Sequence, residues 1–355
     1  MSRRLPVFFV LDVSESMAGA NIYQMEEAIH TILSNLRKDP SSLESVYVSV
    51  IVFAGKARTL VPLTELVGFQ PAPLPIGGGT DLGAGLGHLM SEIDRSVTRG
   101  TSDVKGDWKP LVFLLTDGHP TKESKPQIDK WNAEFRRRAN LVAVSIGGHA
   151  DHKILNQLTD DVIVFMDSAP DAFAKFIKWI SVSIQAQGDS VRAGNEEGVV
   201  LAKLDDDIVK PLRRFDEPQP GQATLDDNCV VIIGKCEKTK RPYLLKFEKN
   251  SQDSFYSSSN DSLDLTTTMP LMETYFELTA AGESASTVYD LTKLNGAAAC
   301  PHCSSPFSMA LDGNCQNIHC IDGPGKHVCP WCGNVDEYDF FEEGASGIEV
   351  NRGQG

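Results

Sequence analysis

Apolar residues in the first half of the chain come in short unbroken runs, and between the runs they recur every three or four positions. Unbroken runs fit strands covered on both faces, and the longer period fits helices with one face inward. The runs predict strands at Pro6–Leu11, Ser45–Phe53, Ala57–Leu63, Leu111–Thr116, Leu141–Ile146 and Val162–Met166. The periodic segments predict helices at Met25–Leu36, Leu82–Val97, Gln127–Ala139, His152–Leu158 and Ala172–Ile184. Ser124 ahead of Pro126 and Ser168 ahead of Pro170 mark two of the starts. This alternation predicts an α/β domain built on a doubly wound, mostly parallel sheet. Ala57–Leu63 is the exception, because Ala54-Gly55-Lys56 is too short for a crossover helix and makes it an antiparallel edge strand.

The pattern changes in the second half. Periodicity is lost over residues 185–198, which read as a linker. Cys229–Ile233 and Tyr243–Phe247 flank a polar turn and predict a hairpin, Asn250–Asp264 reads as an exposed loop, and Thr274–Leu278 reads as a further strand. The acidic, aromatic segment Asp336–Glu343 is compatible with a strand, a docking segment or a frayed end.

Composition narrows the class. A chain of 355 residues, 41% hydrophobic and 23% charged, has the make-up of a soluble globular protein long enough for two domains. Its net charge of -15 is uneven, with 20 Lys and Arg against 22 Asp and Glu up to residue 194, and 13 against 26 beyond it. That balance argues against nucleic acid or an anionic membrane as a partner, since both demand neutralising Lys and Arg. Ser2-Arg3-Arg4 before an apolar run imitates a secretory signal, but the run contains Pro6, stops at Asp12 and has no small-residue cleavage site. No stretch reaches the roughly 18 apolar residues that a bilayer requires. A cytoplasmic protein is the expectation.

Three of the predicted strands or loops end in oxygen-bearing residues. The first strand runs into Asp12-Val-Ser14-Glu-Ser16, the fourth into Thr116-Asp117-Gly118-His119, and Gly77-Gly-Gly79 introduces Thr80-Asp81 ahead of a helix. In a doubly wound sheet, loops at the carboxyl ends of the strands meet in one crevice. Singly, Asp12 and Thr80 would read as helix caps and Asp117 as a turn residue. Jointly, Asp12, Ser14, Ser16, Thr80 and Asp117 form a set of hard oxygen ligands suited to Mg2+, Mn2+ or Ca2+. Mostly neutral hydroxyls leave such a cation positive, so that an Asp or Glu of a partner can complete its shell.

Cysteine spacing supplies the second signal. Cys300-Pro-His-Cys303 and Cys329-Pro-Trp-Cys332, separated by 25 residues, have the spacing of a zinc ribbon with four thiolate ligands. A redox reading of either motif needs a helix start in a thioredoxin-like unit, whereas the flanks here are Gly, Ser, Asn and Asp. Cys315 and Cys320 lie between the two pairs with His319 and His327 nearby, and could hold a second metal or replace one pair. Cys229 and Cys236 read as free thiols, and His302 as a solvent-facing residue between two ligands.

Catalytic motifs are missing from the sequence: it has no Gly-x-Ser-x-Gly elbow, complete phosphate-binding loop or His-Glu-x-x-His helix. A metal-assisted hydrolase would have only Asp81 or His119 as its base.

The first half resembles von Willebrand factor A domains that carry a metal-ion-dependent adhesion site. The resemblance rests on Asp12-Val-Ser-Glu-Ser-Met, Val61-Pro-Leu-Thr-Glu-Leu, the Gly77-Gly-Gly-Thr-Asp loop and the segment from Gly106 to Gly118. Glu15 departs from it, standing where many A domains have glycine. The whole chain resembles the TerY family of tellurite-resistance-associated proteins. That resemblance implies a Rossmann-like A domain over residues 1–187, a linker at 188–198, a β-rich region at 199–294 and a zinc-ribbon-like domain at 295–345. It also implies a non-catalytic interaction protein acting with a PP2C-type phosphatase and a Ser/Thr kinase in bacterial stress and tellurite resistance. A chelatase-like adaptor of an AAA+ ATPase is the alternative.

Overall fold

The computed structural model describes residues 3–101, 105–117, 120, 123–146, 152–165, 170–194, 201–202, 209–211, 229–249, 262–280, 286–289, 293–339 and 348–351. The chain divides into two compact units, one of Met1–Leu74 with Thr80–Gly221 and one of Pro75–Gly79 with Gln222–Gln354. Among the described residues no helix is long and apolar enough to cross a membrane.

The first unit is organised by a seven-stranded sheet: β1 (Leu5–Asp12), β2 (Val46–Phe53), β3 (Ala57–Glu65), β4 (Leu111–Thr116), β5 (Asn140–Ile146), β6 (Val162–Phe165) and β7 (Val209–Pro211). Their order is β3-β2-β1-β4-β5-β6-β7. The five central strands are parallel, whereas β3 and β7 are antiparallel edges. β1 is buried at every position, as its unbroken apolar run requires, and Phe9 stacks on Phe113 of β4 at 5.7 Å. The order reverses between β1 and β4. The crevice at their carboxyl ends is therefore the switch point of the sheet, where ligands of such folds bind.

Helices α1 (Ala20–Leu36), α2 (Pro40–Ser45), α3 (Leu82–Ser96), α4 (Lys125–Lys130), α5 (His152–Leu158) and α6 (Pro170–Arg192) complete this unit. The helices differ from the expected ones in five respects. α1 begins at Ala20 after Gly19, whose φ of 95° only glycine adopts freely. α2 was not anticipated. It is six residues long, too short to show a period, and is started by the Asp39 carboxylate, which accepts from Ser41 N and Ser42 N. The helix expected over Gln127–Ala139 widens into a π turn at Trp131–Phe135, which keeps both of these rings buried and stacked at 6.0 Å. Ser124 precedes α4 without a side-chain capping bond. α6 continues past Ile184 to Arg192, so the first residues of the expected linker are helical. Met166 and Ser168 lie outside the described residues.

The second unit holds a six-stranded sheet in the order β12-β10-β9-β8-β14-β13. Its strands are β8 (Cys229–Lys235), β9 (Pro242–Glu248), β10 (Leu263–Pro270), β12 (Leu294–Asn295), β13 (Phe307–Leu311) and β14 (Ile318–Ile321). β11 (Ser286–Tyr289) pairs with β17 (Ile348–Asn351), and β15 (Gly325–Val328) with β16 (Val335–Tyr338). The β8–β9 hairpin is the expected one. β10 begins in the last two residues of the expected loop and continues through the Thr-rich segment, and residues 250–261 of that loop lie outside the described residues. The strand expected at Thr274–Leu278 is a helix instead, α7 (Tyr275–Leu278), because its buried residues Tyr275 and Leu278 are three apart rather than two.

Candidate functional site

At the switch point, β1 delivers Asp12 fully buried, and the chain turns sharply through Val13, whose N–H donates to Phe53 O at 2.8 Å. Ser14 N–H returns to Asp12 Oδ1 at 3.0 Å, while Thr116 Oγ1 at the end of β4 donates to Asp12 Oδ2 at 2.6 Å. Ser16 Oγ donates to Asp117 Oδ1 at 2.8 Å. The 2.9 Å contact between the Ser14 and Ser16 hydroxyls is therefore a donation from Ser14, giving a chain Ser14 to Ser16 to Asp117. Glu15, the departure noted above, is buried beside this turn.

Thr80 arrives from the third loop. Asp81 N–H donates to Ala54 O at 2.8 Å, so successive carbonyls at the end of β2 tether the Asp12 loop and the Thr80 loop side by side. The cap of α3 falls to Asp81, which accepts from Ala84 N at 2.7 Å, and α1 is entered through Gly19. Neither Thr80 nor Asp12 is thus occupied as a helix cap. Gly118 and His119 lie outside the described residues.

The electrostatics fit a cation. Burial and the facing Asp117 raise the Asp12 carboxyl to about 7, against the opposing pull of the Thr116 and Ser14 hydrogen bonds. Among the described residues its partners are hydroxyl and amide donors, with no cationic side chain. A divalent cation would meet that demand, and a donor set of carboxylates and hydroxyls suits a hard one.

In the second unit the cysteines form two groups rather than one. Cys236, Cys300, Cys303 and Cys320 have sulfurs within 4.8 Å of one another, and the ligand atoms of Asp312, Cys315, Cys329 and Cys332 do likewise. This corrects the expectation of one site made by Cys300, Cys303, Cys329 and Cys332. The reason is the β13–β14 hairpin, which fills the spacer between the two motifs and presents Cys315 in its turn and Cys320 on β14. Cys315 Sγ lies 3.7 Å from Cys329 Sγ, and Cys303 Sγ 3.6 Å from Cys320 Sγ. Cys236, read above as a free thiol, belongs to the first group. Cys229 belongs to neither and is a buried residue of β8. The histidines are engaged elsewhere: His302 Nε2 donates to Pro242 O, His319 Nε2 meets Tyr338 OH, and His327 Nδ1 meets Glu237 Oε2.

Burial pushes the Cys300 and Cys320 thiols up and raises Cys329 to about 12. Cys303 is held at about 7, where hydrogen bonds from Ser305 outweigh its burial. Thiols held this close become thiolates when a metal binds, and tetrahedral zinc, which takes thiolate and carboxylate ligands, matches a group of four in each case.

Residues 7–178 match the von Willebrand factor type A domain model, and residues 226–355 match the TerY-C metal binding domain model. The chain belongs to the TerY type. The chain is 28% identical over 166 residues to inter-alpha-trypsin inhibitor heavy chain H2 of Sus scrofa, covering 44% of this chain and 17% of that protein. It is 26% identical over 165 residues to heavy chain H6 of Homo sapiens, covering 43% and 12%. The TerY-type chain thus spans less than a fifth of the length of these curated relatives. Among solved structures it is similar to a von Willebrand factor type A protein from Catenulispora acidiphila, at 19% identity, with 52% of this chain and 43% of that chain covered and a TM-score of 0.39. An A domain with a gathered oxygen site, joined to a TerY-C metal binding domain, makes this a metal-binding A-domain protein of scaffold or adaptor type.

Proposed function

We propose that the A domain is a cation-dependent docking module in which Asp12, Ser14, Ser16, Thr80 and Asp117 hold Mg2+, with Mn2+ or Ca2+ as substitutes, and a partner's Asp or Glu completes the shell. The observation that carries this reading is the hydrogen-bonded chain Ser14–Ser16–Asp117 beside the fully buried Asp12 carboxylate. Only Asp12 and Asp117 of the five groups carry charge, and with one of them reached through a water molecule the cation keeps positive charge and an open position for one more carboxylate. The partners proposed from the TerY type are a PP2C-type phosphatase and a Ser/Thr kinase, with the chain as a non-catalytic scaffold in a stress or tellurite-resistance system. The zinc-bearing TerY-C domain supplies a second docking surface.

The test is an affinity capture from native lysate in magnesium, comparing wild type with Asp12→Ala and Ser16→Ala and identifying captured proteins by mass spectrometry. Wild type is expected to retain a phosphatase or a kinase that both variants lose while keeping wild-type circular dichroism. Equal capture by all three would remove the oxygen site from recognition.

A further inference from the structure

Four turns in the second unit share one backbone frame. In each, the N–H of a first residue donates to the carbonyl five residues on, and the N–H of the fifth residue returns to the first residue's carbonyl. The pairs are Cys236 with Arg241 and Lys240, Cys300 with Ser305 and Ser304, Asp312 with Asn317 and Gln316, and Cys329 with Asn334 and Gly333, at 2.8–3.1 Å throughout. The fifth residue has positive φ in every case: 61° at Lys240, 61° at Ser304, 58° at Gln316 and 80° at Gly333. Such turns point the side chains of their first and fourth residues at one spot. The first positions are Cys236, Cys300, Asp312 and Cys329, and the fourth are Thr239, Cys303, Cys315 and Cys332.

Two of these eight positions are not cysteine, and the fold treats them differently. Thr239 is replaced from outside its turn by Cys320 of β14, whose sulfur accepts from Glu237 N at 3.3 Å. Asp312 is not replaced. Its Oδ1 accepts from Asn314 N at 3.1 Å and Cys315 N at 2.6 Å, the third and fourth residues of its turn. Cys300 and Cys329 receive backbone N–H bonds from the same two positions of their own turns. The oxygen therefore stands where a sulfur stands in the other turns, and Cys332 Sγ lies 3.3 Å from it. Asp312 is fully buried, whereas Cys332 of the same group is exposed; in the all-sulfur group Cys236, Cys300 and Cys320 are all buried.

We propose that the TerY-C domain holds two zinc ions of unequal lability, a closed four-thiolate site at Cys236, Cys300, Cys303 and Cys320 and an exchangeable site in which the Asp312 carboxylate replaces one thiolate beside Cys315, Cys329 and Cys332. A carboxylate is a harder ligand than a thiolate and holds a borderline-soft ion less firmly. The exposed Cys332 gives a competing ligand a way in, so that the second ion leaves first.

The experiment uses the full chain loaded with zinc, metal analysis for stoichiometry and a chromogenic chelator in excess to follow release. Wild type is expected to carry two zinc ions per chain and release them in two phases of equal amplitude. Asp312→Cys should convert the fast phase into a second slow one and, loaded with cobalt, should absorb more strongly in the sulfur-to-cobalt charge-transfer region than wild type. Asp312→Asn keeps an oxygen for the two turn amides but loses the charge, and should carry one zinc whose slow release is unchanged. Cys236→Ser should lose the slow phase together with the fold of the second unit, read by circular dichroism, because its site is part of the core. A single zinc in wild type, or a single release phase, would overturn the inequality. Two zinc ions with wild-type release in Asp312→Asn would show that Asp312 only closes its turn.

Discussion

Asp12 carries a cost that a bound cation would remove. A carboxyl raised from 3.8 to about 7 in the folded state binds more protons there than in the unfolded chain between those values. Without a divalent cation its contribution to stability is therefore fully present below pH 4 and is lost as pH rises through 7, by up to about 4 kcal/mol. Added magnesium competes with that proton, so its stabilising effect should grow over the same window. Melting curves of the A domain transition at pH 5 and pH 7.5, with and without added magnesium, are expected to show the larger upward shift at pH 7.5. Equal shifts at both would mean that the cation does not bind at Asp12. A smaller effect belongs to Asp39, whose carboxylate holds Ser41 N and Ser42 N at the start of α2. Asp39→Ala should cost about 1 kcal/mol by denaturant titration without altering magnesium affinity.

β8 and β9 hold the TerY-C sheet together through a close approach. Gly234 faces Tyr243 across the pair, and a Cβ at Gly234 would lie 2.3 Å from the ring. That ring is fully buried, and its hydroxyl donates to Ser308 O at 2.6 Å. Gly234→Ala should therefore cost about 1–3 kcal/mol, seen as a lower melting temperature of this unit alone. Nothing in the local pattern announces the contact, and the same contrast runs through the chain. β1, β2, β4, β5 and β6 were legible because each is a mostly apolar run, broken in β2 only by Ser49 and in β5 by Asn140 and Ser145, and Asp12, Thr80 and Asp117 because each follows such a run or a glycine turn. α2, the π turn and α7 are too short for a period to emerge, and tertiary packing decided them. Cys236 gave no spacing signal because Thr239 takes the position where a second cysteine would have marked the turn. Asp312-Gly-Asn-Cys315 did carry the spacing, hidden by the change of ligand from sulfur to oxygen. The pairing of the cysteines was not readable at all, since it depends on which face of β14 meets which turn.

The two units are built on different chemistry. All eight cysteines lie between residues 229 and 332, so the A domain core, with Phe8, Val10, Phe53, Leu86, Val112 and Trp131, owes nothing to thiolate or zinc. In the second unit Cys236, Cys300 and Cys320 are themselves core residues, packed with Val230, Tyr243 and Phe247. Metal affinity there is folding free energy, since no preformed site exists in the unfolded chain. Removing zinc with a chelator selective for soft ions should therefore unfold the TerY-C domain and leave the A domain folded. Limited proteolysis after such treatment is expected to destroy the region beyond residue 222 and spare a fragment containing β1 to α6, and Cys300→Ser should give the same fragment without chelator. Resistance of both units would mean that the cysteine groups are not structural. Loss of both together would mean that the A domain depends on the TerY-C domain for stability, despite a core of its own.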